Sequence, residues 1–425
     1  MRIWIVMVGE ALPTDGKNVR LRRVATLCNL CAARGHDVTW WTSTFNHARK
    51  QQRAKADKCV ITSEGVKLEM LYAPAYKRNI SVGRLVNHYF LGKALIRRIK
   101  SEPAPDVILS AWPTIELSAA SVEYGRSRGI PVIIDVRDLW PDIFVDVAPA
   151  RLRSIIKLLL HSLTKRAKYV FQNCDGILGI SPGYLRWALG YAARPQGPLD
   201  RVFPLGYDKP IPSEAELMRA EHELNSFGID RTKLICWFVG VFGATYDLAT
   251  VIKAARMLEE RGENGFQFVL SGGGEKEPQW KKQAAGLKNV IFTGWVDGAK
   301  ICCLGQMAHI GLAAYAASAP QGLPNKLFEY MAFGLPVLSS LSGEAQLFLN
   351  EHRCGLTYKA GDPESLINSV MALQSGASVR REYGANGLQL YEKVYSADKV
   401  YAAMADYLEA VASHKNREAA EVTTV

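Results

Sequence analysis

Short apolar runs, each followed by a glycine-containing loop and an amphipathic helix, occur in both halves of this chain. The first run is Ile3–Val8, whose loop includes Gly16 and leads into a helix expected over residues 19–34. The same plan starts again at residues 234–240, with a helix expected over Leu248–Arg261. Strand, glycine loop and helix in this order build parallel sheets covered by helices. The sequence therefore predicts an α/β protein with two Rossmann-like, doubly wound domains that face each other across a cleft.

The length of the chain agrees with two domains, because 425 residues exceed what one ordinary hydrophobic core supports. The expected domains are residues 1–206 and 207–395. Residues 396–425 are expected to form a helix that packs back toward the first domain, followed by a frayed tail.

The cysteines and the hydropathy pattern indicate the compartment. The eight cysteines are scattered, and the single C-x-x-C pair, Cys28 and Cys31, lies on an apolar helical stripe. Core packing is therefore favoured over a zinc site, and scattered thiols are typical of a reducing cytosol. No apolar run reaches the roughly 18 residues that a membrane span requires, so no spanning segment is expected.

Lysine and arginine outnumber aspartate and glutamate by 52 to 41, which gives a formal net charge of +11. This balance favours nucleic acid, an anionic membrane surface or phosphorylated small molecules as partners. Residues 71–100 and 151–171 contain no acidic residue and interleave cations with aliphatic residues at helical spacing. That pattern is typical of helices on anionic membranes, although a solvated helix face is the alternative. The membrane or acceptor cations predicted from it are Arg84, Lys93, Arg97, Arg98, Arg153, Lys157, Lys165 and Arg166.

Nucleic-acid binding is disfavoured by the same two segments. Their cations alternate with aliphatic side chains rather than with the aromatic residues that stack on bases, and no recognised nucleic-acid module is present.

Residues 321–340 read as a loop, a short helix, a tight turn and a buried strand. Lys326 and Glu329 lie three residues apart and share one helix face. A helix start with a lysine suits an anion, and a carboxylate one turn deeper accepts hydrogen bonds from a diol such as ribose. A capped helix with a solvated Lys/Glu pair is the alternative interpretation.

Two loops of the first domain are further candidates for ligand contact. Arg137 and Asp138 follow a predicted strand and therefore lie at the carboxyl edge of the sheet, where open α/β sheets bind ligands. A solvated turn with a structural Arg/Asp pair is the alternative. The loop with Gly16 and Lys17 contains no G-x-G-x-x-G and no Walker lysine, so the residues alone favour an ordinary strand–helix loop over a phosphate-binding one.

Taken in order, these pieces resemble the retaining glycosyltransferases of family 4, which have the GT-B fold. The most similar members of that family are bacterial enzymes that build O-antigen and capsule. The resemblance extends over nearly the whole chain and is carried by the glycine loop at Gly16 and by residues 135–141, 238–248, 271–274, 292–295 and 323–336.

The resemblance implies roles for individual residues. Glu329 matches the glutamate that holds the nucleotide ribose, and Lys326 matches the group that holds the diphosphate. The full donor-binding set is Gly16, Lys17, Gly243, Gly273, Gly294, Trp295, Asn325, Lys326 and Glu329. The implied catalytic set is Asp138, Arg137 and Gln321, where Gln321 replaces a glutamate that contacts the sugar in the family.

The function implied by the resemblance is transfer of a sugar, with retention, from a nucleotide-sugar donor of the UDP-HexNAc type. The acceptor is expected to be linked to a polyprenyl diphosphate, so that the protein works peripherally at the inner face of the cytoplasmic membrane. The sequence contains no D-x-D, so neither a metal nor another cofactor is expected. The alternatives are a nucleotide-sugar epimerase or hydrolase on the same fold, and a non-catalytic nucleotide-sugar-binding scaffold.

Overall fold

The structure, a computed structural model, describes residues 1–16, 21–79, 81–146 and 148–422. The chain divides into two compact units. The first comprises Met1–Pro204 and the chain from Val400 onward, and the second comprises Leu205–Lys399. Within the described residues, no helix combines the length and the apolar character needed to cross a bilayer.

The first unit is built on a mainly parallel sheet. Its strands are β1 (Arg2–Val6), β2 (Asp37–Ser43), β3 (Phe45–Asn46), β4 (Gln51–Gln52), β5 (Lys58–Ile61), β6 (Lys67–Leu71), β7 (Val107–Trp112), β8 (Val132–Val136), β9 (Gly176–Gly179) and β10 (Arg201–Val202). Eight of them form the order β10-β9-β8-β7-β1-β2-β6-β5, in which only β5 runs antiparallel to its neighbour. The central strands are apolar and buried along their length because helices cover both faces of the sheet.

The helices of the first unit are α1 (Arg23–Ala33), α2 (Val82–Arg98), α3 (Ile115–Arg128), α4 (Ile143–Asp146), α5 (Arg153–Leu159), α6 (His161–Asn173) and α7 (Pro182–Ala192). The predicted continuous basic segment over 151–171 is thus two helices with a break at Leu160. The break separates two environments: α6 buries Ala167, Val170 and Phe171, whereas α5 has no buried residue. Cys28 and Cys31 are buried free thiols, as the apolar stripe of α1 predicts.

The second unit repeats the architecture with a fully parallel sheet. Its elements are α8 (Glu214–Asn225), β11 (Leu234–Val239), α9 (Leu248–Glu260), β12 (Phe266–Ser271), α10 (Glu277–Gln283), β13 (Val290–Gly294), α11 (Gly298–Met307), β14 (Ile310–Ala313), α12 (Asn325–Met331), β15 (Val337–Ser339), α13 (Glu344–Glu351), β16 (Gly355–Thr357), α14 (Pro363–Ser375) and α15 (Ala377–Leu390). The strand order is β13-β12-β11-β14-β15-β16. The prediction of two Rossmann-like α/β domains is therefore confirmed.

The strand orders also indicate where ligands bind. In each sheet the chain reverses direction of winding once, between β1 and β7 in the first unit and between β11 and β14 in the second. Open α/β sheets bind ligands outside the carboxyl ends of the strands at this switch point. The loops that follow β11 and β14, and those that follow β1 and β7, are thus the places to look for a site.

The last helix, α16 (Ala397–Val422), returns to the first unit. Arg34 pairs with Asp406 at 2.6 Å, and the hydroxyl of Tyr407 donates to the carbonyl of Leu199 at 2.6 Å. The helix extends to Val422, because alanine and glutamate continue its helix-forming composition.

Candidate functional site

The loops that follow β11, β12 and β13 pack backbone against backbone. The amide of Gly240 donates to the carbonyl of Ser271 at 2.9 Å, and the amide of Gly272 donates to the carbonyl of Gly294 at 2.7 Å. Gly272 has φ +138°, and a Cβ there would lie 1.8 Å from the carbonyl oxygen of Gly240. Only glycine fits at that position, so the sequence holds these three loop ends together at the carboxyl edge of the sheet.

Lys326 lies in the first turn of α12 and points under the Gly240 loop. Its side chain is buried, and its Nζ donates to the carbonyl of Val239. The ammonium faces three aromatic rings, with centroid distances of 4.5 Å to Phe238, 5.1 Å to Tyr246 and 5.8 Å to Tyr330. This aromatic cage stabilises a cation that has lost its hydration shell.

Burial lowers the pKa of Lys326 to about 8, while the carboxylate of Glu329 acts in the opposite direction. A buried lysine in this range is charged at neutral pH but gains strongly from a further negative partner. The cage thus holds a positive charge that is poised to bind an anion at the loop ends.

Two buried acceptor atoms lie on the same segment without a hydrogen-bond partner. They are Oε1 of Gln321 and Oδ1 of Asn325. A buried acceptor left unpaired costs on the order of 1–3 kcal/mol, so such atoms mark places where a ligand hydroxyl or water completes the bonding. Glu329 stands one turn further along α12 and is half-buried.

The predicted residues on the β12 and β13 loops have different surroundings. Trp295 is 68% exposed, and its Nε1 lies 2.7 Å from where a Cβ on Gly273 would stand. A side chain at Gly273 would therefore displace the indole. Gly294 has φ +68°, a conformation that favours glycine. A Cβ on Gly243 would contact nothing within 4 Å, so this glycine borders open space.

Arg137, predicted to be catalytic, lies in a buried ion-pair network, and its Nη2 has no hydrogen-bond partner among the described residues. Its guanidinium pairs with Asp135 at 2.7 Å and with Glu10, and Asp135 also pairs with Arg23 at 2.9 Å. Burial opposes ionisation of Asp135, but Arg23 and Arg137 outweigh it and keep its pKa below the usual value. This network positions the loop after β8, and the catalytic role of Arg137 stays a prediction.

Asp138 remains a candidate at the carboxyl edge of β8. Its Oδ1 accepts from the amide of Leu139 at 2.8 Å, and burial raises its pKa even though Arg84 acts to lower it. Gly16 is the last described residue before a gap, and Lys17 lies outside the described residues. The predicted donor and catalytic residues within the described chain are divided between the two units. The first unit contains Gly16, Arg137 and Asp138, and the second unit contains the others.

Several of the predicted membrane cations have acidic partners from elsewhere in the chain. Arg97 pairs with Asp57 at 2.9 Å, Arg98 with Glu69 at 3.2 Å, and Arg166 with Glu123 at 2.7 Å. These three arginines are partners in surface ion pairs, and their contact with a membrane stays a prediction. The sequence could not show this because each acidic partner belongs to a different element.

The other predicted membrane cations fall into two groups. Arg84 stacks on Trp140, with its guanidinium carbon 4.3 Å from the ring centroid, so it is a partly buried side chain rather than a surface cation. Exposed cations are Lys93, Arg153, Lys157 and Lys165. Two of these cations, Arg153 and Lys157, lie on α5 together with Leu158 and Leu159, which are 76% and 74% exposed.

No group of three or more metal-binding side chains comes together among the residues that the structure describes.

The sequence patterns did not identify two aromatic residues of the cage, Phe238 and Tyr246, as contacts of Lys326. The short spacing from Phe238 to Gly240 placed Phe238 near the loop, but nothing local indicated a contact with Lys326.

A sequence region in each of the two units matches a model of a known protein family. Residues 21–195 match a family model described as a glycosyl transferase 4-like domain, and residues 233–375 match one described as glycosyl transferases group 1. The O-antigen chain mannosyltransferase C of Escherichia coli is 27% identical over 165 residues, which cover 38% of this chain and 42% of that protein. The aligned part is thus less than half of that relative.

Solved structures show the same fold. The sucrose-phosphate synthase of Thermosynechococcus elongatus has a TM-score of 0.70 and 17% identity, and the match covers 97% of this chain and 99% of that one. HepE of Anabaena, solved in complex with UDP, has a TM-score of 0.66 and 12% identity, with coverage of 96% and 100%.

Proposed function

From the premise that this chain is a glycosyltransferase of the GT-B fold, with a 4-like domain in its first unit and a group 1 domain in its second, we propose that it transfers a sugar from a nucleotide-sugar donor to a lipid-linked acceptor. The observation that carries the proposal is the caged ammonium of Lys326 at the loop ends of the second sheet. We further propose that the sugar keeps its anomeric configuration and that the glycan belongs to a bacterial surface polysaccharide, as the O-antigen relative supports.

The proposed chemistry follows from the charge that develops in the reaction. When the anomeric C–O bond breaks, negative charge builds up on the nucleoside diphosphate. A preorganised cation in a site of low polarity stabilises that charge where it forms, typically by a few kcal/mol. Lys326 would supply this charge without a metal ion, and Glu329 would accept hydrogen bonds from the ribose hydroxyls.

The remaining donor residues would complete the pocket. Trp295, beside Gly294 and Gly273, would border the base, and Gly243 would leave room for the phosphates. The unpaired oxygens of Gln321 and Asn325 would accept hydrogen bonds from sugar hydroxyls. A neutral glutamine offers an amide donor in addition to its acceptor, so it would recognise a different hydroxyl pattern from a glutamate.

The donor is proposed to be of the UDP-HexNAc type. A mannosyl donor is the second candidate, because the Escherichia coli relative is a mannosyltransferase. Incubation with a panel of nucleotide sugars and a polyprenyl-diphosphate-linked acceptor tests the proposal, with chelator added to remove metal ions. Labelled sugar is expected to appear on the lipid in the presence of chelator. Release of sugar without acceptor would indicate a hydrolase, and donor binding without turnover would indicate a scaffold.

Nucleotide binding is expected to weaken as the pH rises above about 8. Lys326 has a pKa of about 8, so it loses its charge above that pH while the diphosphate stays ionised. The affinity should fall by up to about tenfold per pH unit, until the pH reaches the higher pKa of the bound state. Calorimetric titration with nucleoside diphosphates between about pH 7 and pH 9.5 measures this. An affinity that stays constant across that range would contradict the role of Lys326.

Membrane contact is proposed to occur through α5 and neighbouring cations. Arg153, Lys157 and Lys165 are exposed beside Ile155, Leu158 and Leu159, a combination that suits anionic lipid and would keep the protein peripheral at the inner face of the cytoplasmic membrane. Lys93 would add to this surface from α2.

Leu158→Asp is expected to reduce binding to anionic vesicles about tenfold or more in a flotation assay. A buried leucine contributes roughly 1.5–3 kcal/mol, and each 1.4 kcal/mol is a factor of ten. Met218→Asp is the matched control, because Met218 is also an exposed apolar residue on a helix but belongs to the second unit. Equal flotation of the Leu158 variant and the wild type would remove α5 from the proposed membrane surface.

A further inference from the structure

Four basic side chains gather at the carboxyl edge of the first sheet, around Tyr76 and Trp140. His47 bonds to the hydroxyl of Tyr76, and the Nζ of Lys50 lies 4.8 Å from the centroid of the same ring. Arg84 stacks on Trp140 at 4.3 Å, and the ring of His88 lies 5.7 Å from that indole. We call His47, Lys50, Arg84 and His88 the basic cluster.

The charged members of the basic cluster have no carboxylate in ion-pair contact within the part of the chain that the structure describes. Among the described residues, no carboxylate forms an ion pair with Lys50 or Arg84, although most other partly buried arginines of this unit have one. The Nε of Arg84 is buried and has no hydrogen-bond partner. Uncompensated positive charge inside a partly buried cluster is costly, so the arrangement indicates that an anion completes it.

The ionisation of the cluster agrees with that interpretation. Burial, together with Lys50 and Arg84, lowers the pKa of His47 to about 4. Burial, with Arg84 and His47, lowers that of His88 to about 3. Burial and Arg84 also lower the pKa of Lys50. Asp138 acts on Arg84 through its charge, without an ion pair between them.

The backbone of Lys50 provides an independent observation. Its φ is +56°, in the left-handed region that a lysine rarely adopts. Such strain costs on the order of 1 kcal/mol or more and is retained chiefly where the side chain must be held in one place. The strained residue is the one whose ammonium is directed at Tyr76 and His47.

We infer that the basic cluster binds the phosphoryl group of the acceptor. This inference rests on the proposed function, since it assigns the anionic part of the proposed lipid diphosphate to named residues. A phosphoryl group suits the cluster because Lys50 and Arg84 offer charged donors to its oxygens and the neutral histidines offer ring N–H groups. The charge of Asp138 acts on Arg84, so an acceptor held at the cluster would present its sugar near this catalytic candidate.

A rival location for the phosphoryl group is the cavity of about 510 Å³ behind α5. Arg153, Lys157 and His161 line it. Arg153 and Lys157 are exposed and remain hydrated, so a bound phosphate would gain less there than in the partly buried cluster. Lys157→Gln therefore serves as the test of the rival location.

The experiment is a calorimetric titration of full-length protein with inorganic pyrophosphate. All variants carry Lys326→Met, which removes the other buried cation that would bind the probe. Lys50→Asn and Arg84→Gln are each expected to weaken pyrophosphate binding at least tenfold. Lys55→Gln, at an exposed lysine with the same charge change, and Lys157→Gln are expected to bind like the parent protein.

Thermal unfolding separates a binding role from a structural one. Asparagine tolerates a positive φ, so Lys50→Asn should unfold at the same temperature as the parent or a higher one. The inference is overturned if the parent does not bind pyrophosphate, if Lys50→Asn and Arg84→Gln bind it as the parent does, or if Lys157→Gln alone loses binding. With intact Lys326, Lys50→Asn should raise KM for a lipid diphosphate acceptor and leave KM for the donor unchanged. If the wild-type protein bound pyrophosphate at the basic cluster but bound no nucleoside diphosphate, that result would refute the proposed function and leave the inference about the cluster standing.

Discussion

Lys326→Met is expected to reduce kcat/KM for sugar transfer by about 10²- to 10³-fold without destabilising the fold. The methionine side chain fills the cage of Phe238, Tyr246 and Tyr330 and makes favourable sulfur–aromatic contacts. It removes a buried cation whose desolvation opposes folding, and replacing buried charge by a packed apolar side chain is often neutral or stabilising. Activity and stability should therefore change independently.

Two measurements check this prediction. Steady-state kinetics should show the loss, and thermal unfolding should show a midpoint at or above that of the wild type. Lys281→Met, at an exposed lysine on α10, is the control for a change of net charge in the same unit. A Lys326→Met protein that keeps wild-type kcat/KM would show that the caged ammonium takes no part in catalysis.

Glu329→Gln is expected to weaken binding of a ribonucleoside diphosphate by about 10- to 100-fold. A hydrogen bond to a charged group contributes roughly 1.5–3 kcal/mol, and the amide keeps the shape of the side chain while losing its charge. The same substitution should have little effect on the 2′,3′-dideoxy nucleotide, because the hydroxyls that Glu329 would hold are absent there.

A thermodynamic cycle over protein and nucleotide isolates that contact. Calorimetric titrations of wild type and Glu329→Gln with both nucleotides supply the four affinities. Glu351→Gln, at an exposed glutamate of α13, is the matched control. An equal loss of affinity for the ribose and the dideoxy nucleotide would assign Glu329 an electrostatic effect without a ribose contact.

The elements of the fold were predictable where the signal is local. The strand expected at residues 234–240 is observed as Leu234–Val239, and the helix expected over Leu248–Arg261 is observed as Leu248–Glu260. Apolar runs that end at glycine specify buried strands, and the side chain of Asp297 caps α11. Strand β5 escaped prediction because its short sequence, Lys58–Ile61, is largely exposed and lies at the sheet edge.

The site was predictable only in part, because its energetics depend on contacts between distant residues. Lys326 bonds to Val239, which lies 87 positions away, and Arg137 pairs with Glu10, which lies 127 positions away. The spacing of Lys326 and Glu329 identified one helix face, but the aromatic cage and the lowered pKa follow from the tertiary structure. Likewise, Arg84 was recognisable as a cation of α2, whereas its stacking on Trp140 was not.

The central claim is that the second unit binds a nucleoside diphosphate at Lys326 and Glu329. A crystal structure of the full chain with a bound nucleoside diphosphate tests it most directly. The diphosphate is expected beside the Gly240 loop, with a phosphate oxygen within hydrogen-bond distance of Nζ of Lys326 and both ribose hydroxyls on the carboxylate of Glu329. A nucleotide bound elsewhere, or bound in this unit with neither residue in contact, would contradict the account.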